Sequence, residues 1–200
     1  MTLLHNIDIS HFLTYLEPIV RRGLQPPIIS GVQPQFSSLS RQDVVYFEWY
    51  ELEKKGIERY RQMLMQNAPT EIAIGLREEY VQQHAHVFME YNVEKRYPGF
   101  KDSLRRIGIR DDDGSLGQGK DRWNNQVVCT ETIPVEAFEA VVVKKYDQNG
   151  EERLVKIPKT GKEKRFGEGL VEVFPASVGI YLGKRDGNRY EIECLREAGK

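Results

Sequence analysis

The chain has 200 residues, 40% of them hydrophobic and 10% aromatic, which suffices for a buried core and argues against wholesale disorder. Its 29 Lys+Arg against 30 Asp+Glu leave a formal net charge of −1, a balance that argues against a general polyanion binder but not against a local basic patch. No apolar run approaches the roughly 20 residues of a spanning helix, and the opening residues lack the basic and apolar regions of a secretory signal, so a cytoplasmic protein with no membrane partner is expected.

In chain order, Ile7, Ile9, Phe12, Leu13, Leu16, Ile19 and Val20 predict a helix over residues 7–22. Arg21-Arg22-Gly23 suits its end, where cations meet the helix dipole and glycine takes the left-handed cap. Leu24 to Leu39 holds three prolines and no charge, and reads as an extended connector. Ser40-Arg41-Gln42-Asp43 resembles a capping box ahead of a helix to about Asn67, with Tyr46, Tyr50, Ile57, Tyr60 and Leu64 in one stripe and Trp49 beside it. Pro69 opens a second helix, expected to reach about Arg96 with Ala73, Leu76, Tyr80, Val87 and Tyr91 on one face. The two helices suggest an antiparallel helical hairpin, followed by a short helix over 101–107.

At Asp111 a Gly- and Asp-rich loop begins, and beyond it the period changes from about 3.6 to 2. Strands are expected around Val127–Cys129, Phe138–Tyr146 and, returning through an Asn149-Gly150 turn, Arg153–Ile157. Pro158 to Glu168 reads as a charged loop and Leu170–Phe174 as a short strand. Val178, Ile180 and Leu182 alternate, Asp186-Gly187 marks a tight hairpin, and Tyr190, Ile192 and Cys194 alternate again. The fold class expected is α+β, an N-terminal helical hairpin with a C-terminal small antiparallel β-barrel or sandwich. The divisions are a leading helix and connector (1–39), a helical hairpin region (40–110), the loop (111–124) and a β region (125–200).

Five features bear on function. Gly114 to Lys120 matches the first seven positions of a phosphate-cradling loop, but Asp121 stands where a magnesium-holding Ser or Thr belongs, and Asp111, Asp112 and Asp113 precede it. The same carboxylates do not fit the frame of a calcium loop, so no metal is expected. On a continuous helix His84 and His86 point about 200° apart and cannot chelate together; His84 falls on the Tyr80 face. Lys95, Arg96, Lys101, Arg105, Arg106 and Arg110, interleaved with Tyr97 and Phe100, form a candidate nucleic-acid surface. A smaller basic cluster, Lys159, Lys162, Lys164 and Arg165, follows in the β region. Finally, the aromatic residues of the two helices exceed what two helices bury on each other, which makes Tyr46, Trp49 and Tyr50 candidate partner-binding residues.

Cys129 and Cys194 form neither a disulfide framework nor a metal-knuckle spacing, and read as two buried reduced thiols. No nucleophile motif, catalytic residue or cofactor is apparent. The leading expectation is therefore a non-enzymatic interaction or assembly protein that binds itself or a protein partner through an aromatic helical face. A nucleic-acid-binding accessory protein using the basic 95–110 segment is the second, and a metal- or nucleotide-dependent enzyme at the 111–121 loop the third.

Overall fold

A computed structural model of the protein describes residues 2–7, 9–25, 45–50, 58, 72–91, 126–129, 131–144, 154–157, 160–186 and 189–199. The chain opens with strand β1 (Thr2–Ile7) and helix α1 (Ile9–Arg22). Strands β2 (Val45–Tyr50) and β3 (Ile72–Leu76) follow, then helix α2 (Glu78–Gln83), strand β4 (Phe88–Tyr91) and strand β5 (Gln126–Cys129). Strand β6 (Phe138–Lys144), a ribbon of β7 (Leu154–Lys156) and β8 (Glu163–Arg165), helix α3 (Phe166–Val173) and the pair β9 (Gly179–Asp186) and β10 (Arg189–Arg196) complete the order.

Eight strands make one mixed sheet in the order β10-β9-β6-β3-β1-β2-β5-β4. All neighbours are antiparallel except β6 and β9. A parallel pair needs a long crossover, and the ribbon and α3 lie in that connection. Among the described residues β10 and β4 end the sheet, so it is open; the expected barrel or sandwich does not form. The α+β class holds in the coarser sense of few helices on a mostly antiparallel sheet.

The strands of the first half replace expected helix. Val45–Tyr50, Ile72–Leu76 and Phe88–Tyr91 are strands where the spacing predicts two long helices. The reason is visible in β3: Ile72-Ala73-Ile74-Gly75-Leu76 is buried at every position. A strand covered on both faces shows a continuous apolar run with no period of two, and such a run also satisfies a helical stripe. Val45, Tyr46, Phe47, Trp49 and Tyr50 are β-branched or aromatic, the types that fit a pleated surface best. Two expectations in the second half also change. β7 pairs with β8 instead of returning along β6, and Phe166–Val173 is helix where a short strand was expected.

α1 and α3 pack on one face of the sheet. Phe12, Leu16 and Ile19 on α1 are buried, following the i, i+4, i+7 spacing of an inward stripe. The Phe12 ring meets Phe166 edge-on at 6.3 Å and stacks on Phe174 at 6.3 Å, tying the two helices together. A second, smaller cluster is formed by Leu4, Ala73, Ala140, Val142 and Tyr181. α1 ends as the sequence predicts. Gly23 adopts φ 79° and its N–H donates to Ile19 O at 2.8 Å. A Cβ there would lie 1.8 Å from the Ile133 carbonyl oxygen, because Leu24 and Ile133 exchange two backbone hydrogen bonds of 2.9 Å beside it. In α3 Gly169 has a packing role: a Cβ would stand 2.1 Å from Val155 Cγ1, so its absence seats the ribbon on the helix.

Arg196 on β10 closes the end of α3. Its Nη1 donates to Val171 O at 2.8 Å and Phe174 O at 3.2 Å. Nη2 donates to Pro175 O at 2.7 Å and Val178 O at 2.9 Å, and Nε to Val178 O at 3.1 Å. The guanidinium thus serves the carbonyls that a helix C-terminus leaves without partners. Burial lowers its pKa from the ordinary arginine value. Among the described residues no helix is long and apolar enough to cross a membrane.

Candidate functional site

The described residues bring aromatic and titratable side chains together on α2, in the connection that carries the chain from β3 to β4 at the edge of the sheet. Arg77, between β3 and α2, holds this corner in place. Its backbone N–H donates to Ala137 O at 2.9 Å, its Nε to Glu136 O at 3.2 Å, and its Nη2 to Ser177 O. α2 then runs for only six residues and stops at His84, whose backbone N–H donates to Tyr80 O at 3.0 Å. A 3-10 turn over Ala85–Val87 leads directly into β4.

The early stop matters for the histidines. Because the helix does not continue past Gln83, the His84 and His86 rings lie 6.4 Å apart, tilted by 31°, instead of on opposite sides of a cylinder. The placement of His84 on the Tyr80 face holds: the two rings stack at 4.1 Å with 19° between their planes, the i, i+4 contact of a helical turn. His84 Nδ1 also lies 3.0 Å from Tyr80 O. A carbonyl can only accept, so Nδ1 is the nitrogen assigned the proton, and in the neutral ring Nε2 is the acceptor. His84 is half-buried and His86 exposed.

Cys129 on β5 and the exposed Glu131 just beyond it act electrostatically on Tyr80. Cys129, opposite Phe88 in the β4–β5 pair, is fully buried and its thiol donates to Glu131 O at 3.4 Å. Burial, aided by the Glu131 carboxylate, pushes its pKa up to about 12. The Tyr80 phenol is also raised, by burial first and then by Cys129 and Glu131. At neutral pH the phenol and the thiol of the site therefore both keep their protons, beside the His84 ring. The site can stack, donate and accept hydrogen bonds. The thiolate that nucleophilic attack requires is disfavoured. Among the described residues no group of three His, Cys, Asp or Glu side chains is placed to hold a metal ion.

Cys194 departs from expectation, being exposed on β10 while only Cys129 is buried; both are free thiols. β10 and β5 stand six strand spacings apart, roughly 29 Å at about 4.8 Å each, far beyond the reach of a disulfide.

The expected partner-binding residues lie on β2, a strand and not a helix. Their register pairs Tyr46 with Val128, Trp49 with Leu3 and Tyr50 with Thr2. The basic residues Lys95, Arg96, Lys101, Arg105, Arg106 and Arg110, and the Asp111–Asp121 loop, lie outside the described residues.

The Tyr80–His84 pair carries a sequence signal in its i, i+4 spacing. Its neighbours Cys129 and Glu131 carry none, because the β4–β5 pairing that delivers them spans a long stretch of chain. No protein-family model matches the chain, and a comparison with curated proteins finds no relative.

Proposed function

We propose that this is a non-enzymatic interaction protein that binds a protein surface, a second copy of itself or a partner, at the β4 end of its sheet. The observation that carries this reading is the stacked, half-buried Tyr80–His84 pair beside the exposed His86, just ahead of β4 at the edge of the described sheet. Rings already fixed by stacking and by a hydrogen bond lose little conformational freedom on binding, and aromatic anchors of this kind dominate contact energetics. The neighbouring thiol, held un-ionised, favours contact over covalent chemistry. Tyr46, Trp49 and Tyr50 on β2, two strands in from β4, are the further residues assigned to partner contact, now as strand positions.

Sedimentation velocity over about 1 to 100 μM, a range in which contacts worth about 6–8 kcal/mol populate a complex, tests this. The wild type is expected to gain a larger species with concentration, and Tyr80→Ala/His84→Ala to remain a monomer with unchanged circular dichroism. A wild-type complex that the double substitution leaves intact would sink the assignment of the surface. A monomer throughout would remove self-association; for a partner, crosslinking from a photoreactive residue at His86 must then give an adduct that the double substitution loses.

A further inference from the structure

The early end of α2 changes what its two histidines can do together. On a continuous helix His84 and His86 point about 200° apart. Here the helix ends at Gln83 and the 3-10 turn over Ala85–Val87 follows, which sets the two ring centres 6.4 Å apart with 31° between the planes. Two imidazoles on one tetrahedral zinc ion hold their ring centres roughly 5 Å apart, because each nitrogen binds at about 2.0–2.1 Å. The pair therefore stands about 1 Å wide of chelating spacing, a gap that rotation of the exposed His86 side chain closes.

His84 is already held as a metal ligand is held. Its Nδ1 lies 3.0 Å from Tyr80 O, which in the neutral ring leaves Nε2 as the nitrogen with a lone pair to give. Metal-bound histidines are oriented in this way, by donating the other ring N–H to a carbonyl or carboxylate. Stacking on Tyr80 at 4.1 Å fixes the plane of the ring. The surroundings suit a cation, since the exposed Glu131 carboxylate is near enough to act on Tyr80. Cys129 does not compete as a ligand, because its buried thiol keeps its proton up to about pH 12. Among the described residues no third His, Cys, Asp or Glu side chain joins the pair, so one chain supplies half of a four-coordinate site.

We propose that His84 and His86 form a zinc half-site, and that a second copy of the chain completes it with its own two histidines. Imidazole ligands suit zinc, and four of them from two copies make its preferred tetrahedron. The inference rests on the reading of the β4 end as a self-association surface, and it names the ion that joins the copies there.

The test is sedimentation velocity of the full chain at about 20 μM, a concentration at which a micromolar contact is largely formed, first in EDTA and then with zinc added. A Cys194→Ser background removes the exposed thiol, which is a zinc ligand in its own right. A zinc-dependent dimer that excess EDTA reverses is expected, with calorimetry giving about one zinc ion per two chains, as four nitrogen ligands require. His86→Ala and His84→Ala are each expected to weaken zinc-driven dimerisation at least about tenfold, the lower bound for losing even an outer partner of a ligand. Because His84 is half-buried and its replacement can disturb the turn, His86→Ala at the exposed position decides the matter. Zinc bound without a dimer overturns the shared site, and so does a zinc-driven dimer that His86→Ala leaves intact. A dimer that forms equally in EDTA overturns the zinc half-site and leaves the self-association reading standing. A monomer under every condition removes both.

Discussion

The two ends of the sheet solve the same problem in opposite ways. Each carries a cysteine and a nitrogen-rich side chain next to a short helix. At the β10 end the thiol of Cys194 is exposed and the guanidinium of Arg196 turns inward, its five hydrogen bonds all given to backbone carbonyls around the end of α3. At the β4 end the thiol of Cys129 is buried, while His84 spends one nitrogen on Tyr80 O and sits half-open to solvent with His86 beside it. A polar group consumed by its own fold stabilises that fold. One that is oriented but not consumed is fitted to meet something else.

The sharpest contrast is between the thiols. With its pKa pushed up to about 12 by burial, Cys129 has a thiolate fraction about 1000-fold below that of an ordinary cysteine at pH 8, before burial limits access. Timed labelling with a thiol reagent should therefore modify Cys194 quickly and Cys129 only on unfolding. Equal rates for both would erase the comparison.

The same shift has a consequence for stability. The folded state holds the Cys129 proton up to about pH 12, whereas the unfolded chain releases it near 9. The contribution is complete below pH 9 and is lost as pH rises from about 9 to 12, amounting to about 4 kcal/mol at the top of that window. Urea unfolding at pH 8, 10 and 11 should show it, and Cys129→Ala should flatten the wild-type decline relative to itself.

At the other end, Arg196→Ala should cost about 2–4 kcal/mol, because it strips charge-assisted hydrogen bonds from several part-buried carbonyls at once. Thermal melts measure it, and Arg196→Lys should recover only part, since an ammonium cannot span the same carbonyls. His84→Ala is expected to be the mildest, about 0.5–1.5 kcal/mol for the lost ring contact, with binding lost out of proportion to stability. A large stability loss there and a small one at Arg196 would invert the assignment of the two ends.

Legibility in the sequence followed the same division. The β9–β10 pair, the Val-rich β6 and the Gly23 cap were predictable because each is signalled locally, by alternation, by Asp186-Gly187 or by glycine after Arg21-Arg22. β3 and β2 were not, because a strand buried on both faces and an aromatic strand both satisfy a helical period. α3 was missed for a related reason. Gly167 and Gly169 argue against a helix by propensity, yet the packing of Leu182, Leu195 and Val155 requires their missing side chains. At the candidate site the Tyr80–His84 contact was local and readable. Its approach to Cys129 and Glu131 depends on which strands pair, and no local pattern encodes that.

The claim that the β4 end meets a protein surface is tested most directly by amide hydrogen exchange at two concentrations, about 1 and 100 μM, spanning the affinities expected of such a contact. The account predicts that peptides covering residues 78–91 exchange more slowly at the higher concentration while those covering 189–196 do not change. Unchanged exchange over 78–91 in the presence of an established complex, or protection confined to 189–196, would contradict it.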